Sequence, residues 1–87
     1  MNGTVHRREL IDKFRALASE IAEQDLSHVT EEHSITDLGM DSLSMLELVG
    51  TLEREYGVRI AEDELAGVTL VRQLLELVHD HLDAVQA

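Results

Sequence analysis

The chain has no cysteine, no proline and no tryptophan, and only one phenylalanine and one tyrosine among its 87 residues. Without cysteine it can form neither a disulfide nor a thiolate metal site. No apolar run approaches the ~20 residues needed to span a bilayer. Residues 1–4 lead into charged residues rather than into a signal-peptide core. We therefore expect a soluble cytoplasmic protein whose core is almost entirely aliphatic.

Basic residues are also scarce. Seven Lys and Arg stand against eighteen Asp and Glu, which gives a net charge of −11 and argues against nucleic-acid binding. Residues 1–15 carry +2, whereas residues 16–87 carry −13. Such an acidic surface serves solubility, or it steers the protein toward basic partners. A chain of this length forms one domain, residues 1–87.

Apolar spacing predicts a first helix from about residue 4 to residue 22, with Thr4 as its N-cap. Its apolar stripe has a spacing of three and four residues and consists of Leu10, Phe14, Leu17 and Ile21, with Ile11 and Ala18 beside it. The basic residues lie in the first half of this helix, the wrong end for the helix dipole. We interpret them as surface chemistry rather than as stabilising groups.

Residues 23–41 lack a clear period and predict a long loop with one short turn. Four apolar residues can pin this loop over the core: Leu26, Val29, Ile35 and Leu38. Further on, Ala61 offers no cap for a short, labile third helix within residues 59–67. We expect Thr69 to cap a fourth helix whose apolar stripe runs from Leu70 to Leu82.

The second helix is the most sharply defined. Asp41 is a good N-cap, Ser42 is the predicted first helical residue, and Gly57 provides a C-terminal stop. Its apolar stripe consists of Met45, Leu48, Val49, Leu52 and Tyr56. The Ser42 hydroxyl should lie near water, where the helix dipole favours an anion by roughly 0.3–1 kcal/mol.

These elements together predict an all-α four-helix bundle with three long helices, a short third helix and a long first loop. The sequence leaves open whether the aliphatic core opens between the second and third helices. It contains no nucleophile–base pair, no Gly-rich phosphate loop and no metal-ligand set, so we expect neither an enzyme nor a metal site.

Residues 38–43 read Leu-Gly-Met-Asp-Ser-Leu and are followed by Leu-Glu-Leu at residues 46–48 and an acidic stretch that ends in an aromatic residue. This pattern, from about residue 10 to residue 82, resembles the acyl carrier protein family. The resemblance implies that a phosphopantetheinyl transferase attaches 4′-phosphopantetheine from coenzyme A to Ser42. It also implies that Asp41 and Leu43 assist recognition by that transferase. Since the chain has no cysteine, the thiol that holds an acyl group as a thioester would be the one on this arm.

Two leucines and two acids lie outside the apolar stripe of the second helix: Leu43, Leu46, Glu47 and Glu53. The resemblance implies that they dock partner enzymes, namely an acyltransferase, a ketosynthase or an acyl- or aminoacyl-activating ligase, onto a monomeric carrier. Two residues depart from the fatty-acid carriers. Gly50 stands where those carriers have a large apolar residue, and Arg54 falls in a stretch that is usually acidic. Both departures favour a dedicated pathway, such as a polyketide route.

Two alternatives stay open at this level. An aminoacyl or peptidyl carrier would use the same arm, although residues 39–42, Gly-Met-Asp-Ser, do not match the Gly-Gly-His-Ser or Gly-Gly-Asp-Ser motif of peptidyl carriers. A small helical interaction module would carry no prosthetic group. The intact mass after incubation with coenzyme A and a broad phosphopantetheinyl transferase separates this module from both kinds of carrier.

Overall fold

The fold is built from four α-helices and one 3₁₀ turn in the computed structural model, which describes the backbone of residues 7–86 and the side chains of residues 7–82. The elements are α1 (Arg7–Ala22), the 3₁₀ turn (Thr36–Leu38), α2 (Ser42–Tyr56), α3 (Glu62–Leu65) and α4 (Val71–Gln86). The predicted all-α bundle is confirmed. The predicted start of α1 at Thr4 lies outside the described residues. No helix in the described part of the chain is long and apolar enough to cross a membrane.

The core is aliphatic, as the composition predicts. Phe14 is the only aromatic side chain fully buried among the described residues, and it lies on α1 between Leu10 and Ala18, each with no exposed surface. Leu17 and Ile21 are only partly buried and pack against the edge of the core. The other helices contribute buried residues at helical spacing: Leu48, Val49, Leu52, Val71, Leu74, Leu75, Val78 and Leu82.

The loop between α1 and α2 is pinned by apolar side chains. All four predicted residues are at least 93% buried, and Met40, which the sequence pattern does not single out, is 5% exposed. The predicted four are Leu26, Val29, Ile35 and Leu38. Burial of these side chains offsets the entropy lost on ordering so long a connection.

Basic residues of α1 hold the same loop. The Arg15 Nε donates to the backbone oxygen of Val29 at 2.7 Å, and Arg7 forms an ion pair with Glu31. The interpretation of the α1 basic residues as surface chemistry alone is therefore wrong for these two. The reason lies in tertiary structure, because both bonds join groups that are 14 and 24 residues apart in sequence.

The loop also caps α4. The first two N–H groups of this helix, those of Val71 and Arg72, donate to the backbone oxygens of His33 at 3.0 Å and Glu31 at 2.8 Å. Helix-terminal N–H groups have no partner within their own helix, so carbonyl groups of the loop satisfy them here. Loop and helix are thereby fixed to each other.

Thr69 is not the N-cap of α4, which corrects the prediction. The helix begins at Val71, and the Thr69 hydroxyl donates to Gln73 Oε1 at 3.0 Å instead of accepting from the helix. The same Gln73 oxygen accepts from the backbone N–H groups of Thr69 and Leu70, each at 2.8 Å. The Gln73 side chain, in the first turn of α4, therefore holds the two residues that precede the helix.

Two leucines on α2 differ in burial, so replacing each one distinguishes a role in core packing from a role at the surface. Leu52 has no exposed surface, whereas Leu46 is 46% exposed. Leu52→Ala should lower the free energy of unfolding by about 2–5 kcal/mol, because it leaves a cavity in the core. Leu46→Ala should lower it by about 1 kcal/mol or less, since little apolar area returns to water. Thermal and urea melts of both variants test this, and equal destabilisation would place Leu46 in the core.

Gly50, within α2, and Gly57, at its C-cap, should change stability in opposite directions when each is replaced by alanine. A Cβ on Gly50 would meet only the Arg54 Nη1, at 3.8 Å. Gly50→Ala should therefore raise stability by about 0.5–1 kcal/mol through helix propensity. The matched control is Gly57, the C-cap, which has a φ of 68°. Gly57→Ala should lower stability by about 1 kcal/mol, because that backbone region disfavours a Cβ. A lower melting temperature for Gly50→Ala would show that Gly50 serves packing.

Candidate functional site

The site is built on the first turn of α2. Asp41 has extended backbone angles, φ −89° and ψ −176°, and its Oδ1 accepts a hydrogen bond from the Ser44 N–H at 2.9 Å. This is the predicted N-cap, and the hydrogen bond holds the pKa of the Asp41 carboxyl below its ordinary value. The Asp41 carboxylate is therefore engaged in ending the loop and starting the helix.

Ser42 is the first residue of α2 and is exposed. The chain reaches it through Gly39, which has a φ of 80° and whose N–H donates to the backbone oxygen of Thr36 at 3.1 Å. A Cβ there would approach the Gln24 Nε2 to 3.4 Å, and that nitrogen donates to the Leu38 oxygen at 3.3 Å. Glycine suits this turn, and the turn brings the Ser42 hydroxyl to the surface at a helix N-terminus.

The short helix α3 lies opposite the start of α2. None of its four residues is fully buried, and Leu65 is only partly packed against the core. Polar contacts fix this segment instead. Glu53 Oε2 on α2 accepts from the Ile60 N–H at 2.7 Å, and Glu64 Oε2 accepts from the Ala61 N–H at 3.0 Å. The second contact lowers the pKa of the Glu64 carboxyl.

A cleft of about 410 Å³ separates α2 from α3 and has Ser42 on its rim. Its lining combines apolar side chains of the loop and both helices with a few polar groups: Ile35, Thr36, Met40, Asp41, Ser42, Met45, Leu46, Glu62, Leu65, Ala66 and Val68. An exposed hydroxyl at a helix N-terminus, beside a cleft of this size, suits a long substituent attached through a phosphodiester. The residues present therefore fit a phosphopantetheine arm.

The predicted docking residues fall into two groups. Leu43 and Leu46 are 74% and 46% exposed and are the only large apolar side chains exposed among the described residues. Glu47 is also exposed, so these three flank Ser42 on the accessible side of α2. Glu53 differs, because it is half-buried and its carboxylate already holds the Ile60 N–H.

Sequence reasoning missed the polar contacts that hold α3. The spacing of Ala61 and Glu64 is that of a capping box, so a signal for one contact was present. Nothing in the sequence pairs Glu53 with Ile60, or Glu64 with His81, whose Nε2 lies 3.1 Å from Glu64 Oε1. These contacts depend on how α2 and α4 pack against the α3 segment.

No cluster of three or more His, Cys, Asp or Glu residues in the described part of the chain has a metal-binding arrangement. His28 and His33 meet edge to face, with ring centroids 6.1 Å apart. The His33 Nδ1 accepts a hydrogen bond from the backbone N–H of Thr30 at 3.0 Å. This hydrogen bond holds the turn of the loop between Thr30 and His33.

Comparison with known proteins identifies the family. The family model described as the phosphopantetheine attachment site matches residues 12–78. An acyl carrier protein of Saccharopolyspora erythraea is 36% identical over 75 residues, which cover 85% of this chain and 79% of that protein. The polyketide-8 synthase acyl carrier protein 2 of Streptomyces avermitilis is 38% identical over 72 residues, which cover 82% of this chain and 83% of that protein.

A solved structure agrees with these sequence matches. The crystal structure of an acyl carrier protein from Thermotoga maritima superposes with a TM-score of 0.85 at 35% identity, over 91% of this chain and 93% of that one. Sequence, fold and the exposed serine at the start of α2 lead to one family. The chain belongs to the acyl carrier proteins, which carry a covalent 4′-phosphopantetheine prosthetic group.

Proposed function

We propose that this protein carries acyl intermediates of a polyketide pathway on a 4′-phosphopantetheine arm attached to Ser42. The observation that carries the proposal is the position of Ser42, exposed at the first residue of α2 and on the rim of the cleft. Residue 42 also lies inside the matched family region, residues 12–78. The relative from Streptomyces avermitilis, named as a polyketide synthase carrier, supports the choice of pathway.

Each residue near Ser42 has a distinct task in this proposal. The N-terminus of α2 stabilises the phosphodiester through the helix dipole. Asp41 is a positioning residue, because its carboxylate holds the Ser44 N–H and so fixes where Ser42 stands. Leu43, 74% exposed beside it, offers an apolar contact to the phosphopantetheinyl transferase.

The arm supplies the thiol that the chain lacks, and that thiol holds the acyl group as a thioester. The cleft between α2 and α3 gives part of the arm or cargo a place out of water, with Met45 and Leu65 on its lining. The carrier itself catalyses no step in this proposal, and the Asp41 carboxylate beside Ser42 is engaged in the helix cap. The chemistry belongs to the partner enzymes.

The proposed partners are a phosphopantetheinyl transferase and the enzymes that load or unload the arm, namely a ketosynthase, an acyltransferase or an activating ligase. They dock on Leu43, Leu46 and Glu47, an apolar patch with an acid beside it. Glu53 is assigned to holding the Ile60 N–H, and it contributes to docking only through the position of α3. We place this single-domain carrier in the cytoplasm with its enzymes.

Ser42→Ala should fold normally yet gain no phosphopantetheine mass on incubation with coenzyme A and a broad phosphopantetheinyl transferase. The change removes the hydroxyl at the first position of α2, to which the arm would be attached. Intact-protein mass spectrometry makes the measurement. Ser44→Ala is the matched control, since the Ser44 cap contact uses its backbone N–H and survives the change. Modification of Ser42→Ala to the level of the wild type would end the proposal.

Leu46→Ala should transfer its acyl group to the partner ketosynthase about tenfold more slowly, consistent with loss of a central apolar contact of roughly 1.4 kcal/mol. The initial rate of ketosynthase acylation is measured by mass spectrometry under subsaturating carrier. The control is Leu77→Ala on α4, a partly buried leucine that does not line the cleft. A wild-type rate for Leu46→Ala, with the control unchanged, would remove Leu46 from the docking surface.

A further inference from the structure

The seven basic side chains sort into two groups, and all of them lie among the described residues. Four are paired with carboxylates: Arg7 with Glu31, Lys13 with Glu55, Arg15 with Asp12 and Arg72 with Glu32. The other three have no carboxylate of the described residues within ion-pair distance: Arg8, Arg54 and Arg59. Of these three, Arg54 lies on α2, the helix that carries Ser42 and the proposed docking residues.

Arg54 is placed on the exposed side of α2, downstream of the docking residues. Its Nη2 donates to Thr51 Oγ1 at 3.3 Å, and the Thr51 hydroxyl donates to the backbone oxygen of Glu47 at 3.0 Å. Its Nη1 lies 3.8 Å from where a Cβ on Gly50 would be. The guanidinium is thus held over the one position of α2 that has no side chain.

The acids beside Arg54 in sequence are engaged elsewhere. Glu53 accepts the hydrogen bond of the Ile60 N–H at 2.7 Å, and Glu55 pairs with Lys13 at 3.0 Å on the α1 side. Arg54 is exposed and keeps donor groups that no described carboxylate takes. A guanidinium presented in this way matches a carboxylate, which it binds in a two-pronged geometry.

We propose that Arg54 binds a carboxylate on the surface of the partner enzyme, while Glu47 binds a cation of the same surface. The two charges are seven residues apart, which is about 10 Å along a helix axis. Opposite charges at that spacing give α2 a direction in the complex, because the reversed orientation would bring like charges together. The inference rests on the proposed carrier function and names the chemistry of its partner.

The net charge of the chain leads to the opposite expectation, and the direction in which the association rate changes distinguishes the two. The net charge of −11 taken alone favours a partner that is basic throughout its docking surface. Such a partner would be repelled by Arg54, so replacing the arginine with an acid would speed association. A partner with a carboxylate opposite Arg54 would respond the other way.

The experiment uses acylated, phosphopantetheine-bearing protein and a polyketide ketosynthase that accepts its acyl group. The measured quantity is the kcat/KM of ketosynthase acylation at about 50 mM and 500 mM salt, a range that spans strong and weak screening. Arg54→Glu should lower kcat/KM about fivefold or more at low salt and by less at high salt, as expected for an interfacial charge contact. An unchanged or raised kcat/KM overturns the proposal.

Arg8→Glu on α1 is the matched control, since Arg8 is also exposed and unpaired and the change in net charge is the same. It should leave kcat/KM within about twofold, because net charge acts on association more weakly than a direct contact. An equal loss for Arg8→Glu overturns the proposal. Thermal melts accompany both variants, because Arg54 lies in the last turn of α2, where a cation also favours the helix dipole.

Two further measurements separate the possible failures. Among ketosynthase variants in which single surface carboxylates are replaced by lysine, one should restore kcat/KM for Arg54→Glu. A purely structural role of Arg54 would give no such rescue. Intact mass after treatment with coenzyme A and the broad transferase should show normal modification of Arg54→Glu. Absence of modification in the wild type rejects the carrier function, whereas a modified wild type without an Arg54 effect rejects this inference alone.

Discussion

One hydrogen bond, from the Ser44 N–H to the Asp41 carboxylate, decides where α2 begins, and the rest of the site depends on it. Each later side chain turns by a fixed angle about the helix axis, so the rotational setting of α2 decides which residues face the core. With Ser42 first, Leu48 and Leu52 enter the core with no exposed surface. The same setting leaves Ser42, Leu43 and Leu46 outside.

The long loop is ordered from both sides, which is why it can serve as one edge of the cleft. Arg15 on α1 donates to the Val29 oxygen, and the first N–H groups of α4 donate to the oxygens of Glu31 and His33. Ile35 follows these fixed points in the chain, is buried and lines the cleft. The loop therefore contributes to the site by structure rather than by chemistry.

The opposite wall is built differently. α3 has four residues, none of them fully buried, and polar contacts from Glu53 and within the segment itself hold it. Segments with little buried apolar surface belong to the least stable parts of a fold. The two sides of the cleft thus differ in rigidity, with the anchored loop and α2 on one side and the lightly held α3 on the other.

The basic and the acidic residues of this chain are placed differently in the structure. The positive excess of residues 1–15 is largely consumed by internal contacts, such as those of Arg7 and Lys13. Of the fifteen Asp and Glu side chains between residues 16 and 82, thirteen are exposed. Arg54, which has no carboxylate partner among the described residues, is a local exception in this acidic surface.

The sequence alone determined the helical class, the start of α2 at Ser42 and the aliphatic core. These follow from local rules, namely apolar spacing, the Asp41 cap and the Gly57 stop, which act within a few residues. Tertiary structure decided the capping of α4 by loop carbonyls, the tethers from Arg7 and Arg15, and the role of Glu53. The α4 cap and the Arg7 and Arg15 tethers join groups distant in the chain, so no pattern within a short window encodes them. Thr69 was misjudged because its hydroxyl donates to Gln73 while loop carbonyls cap the helix.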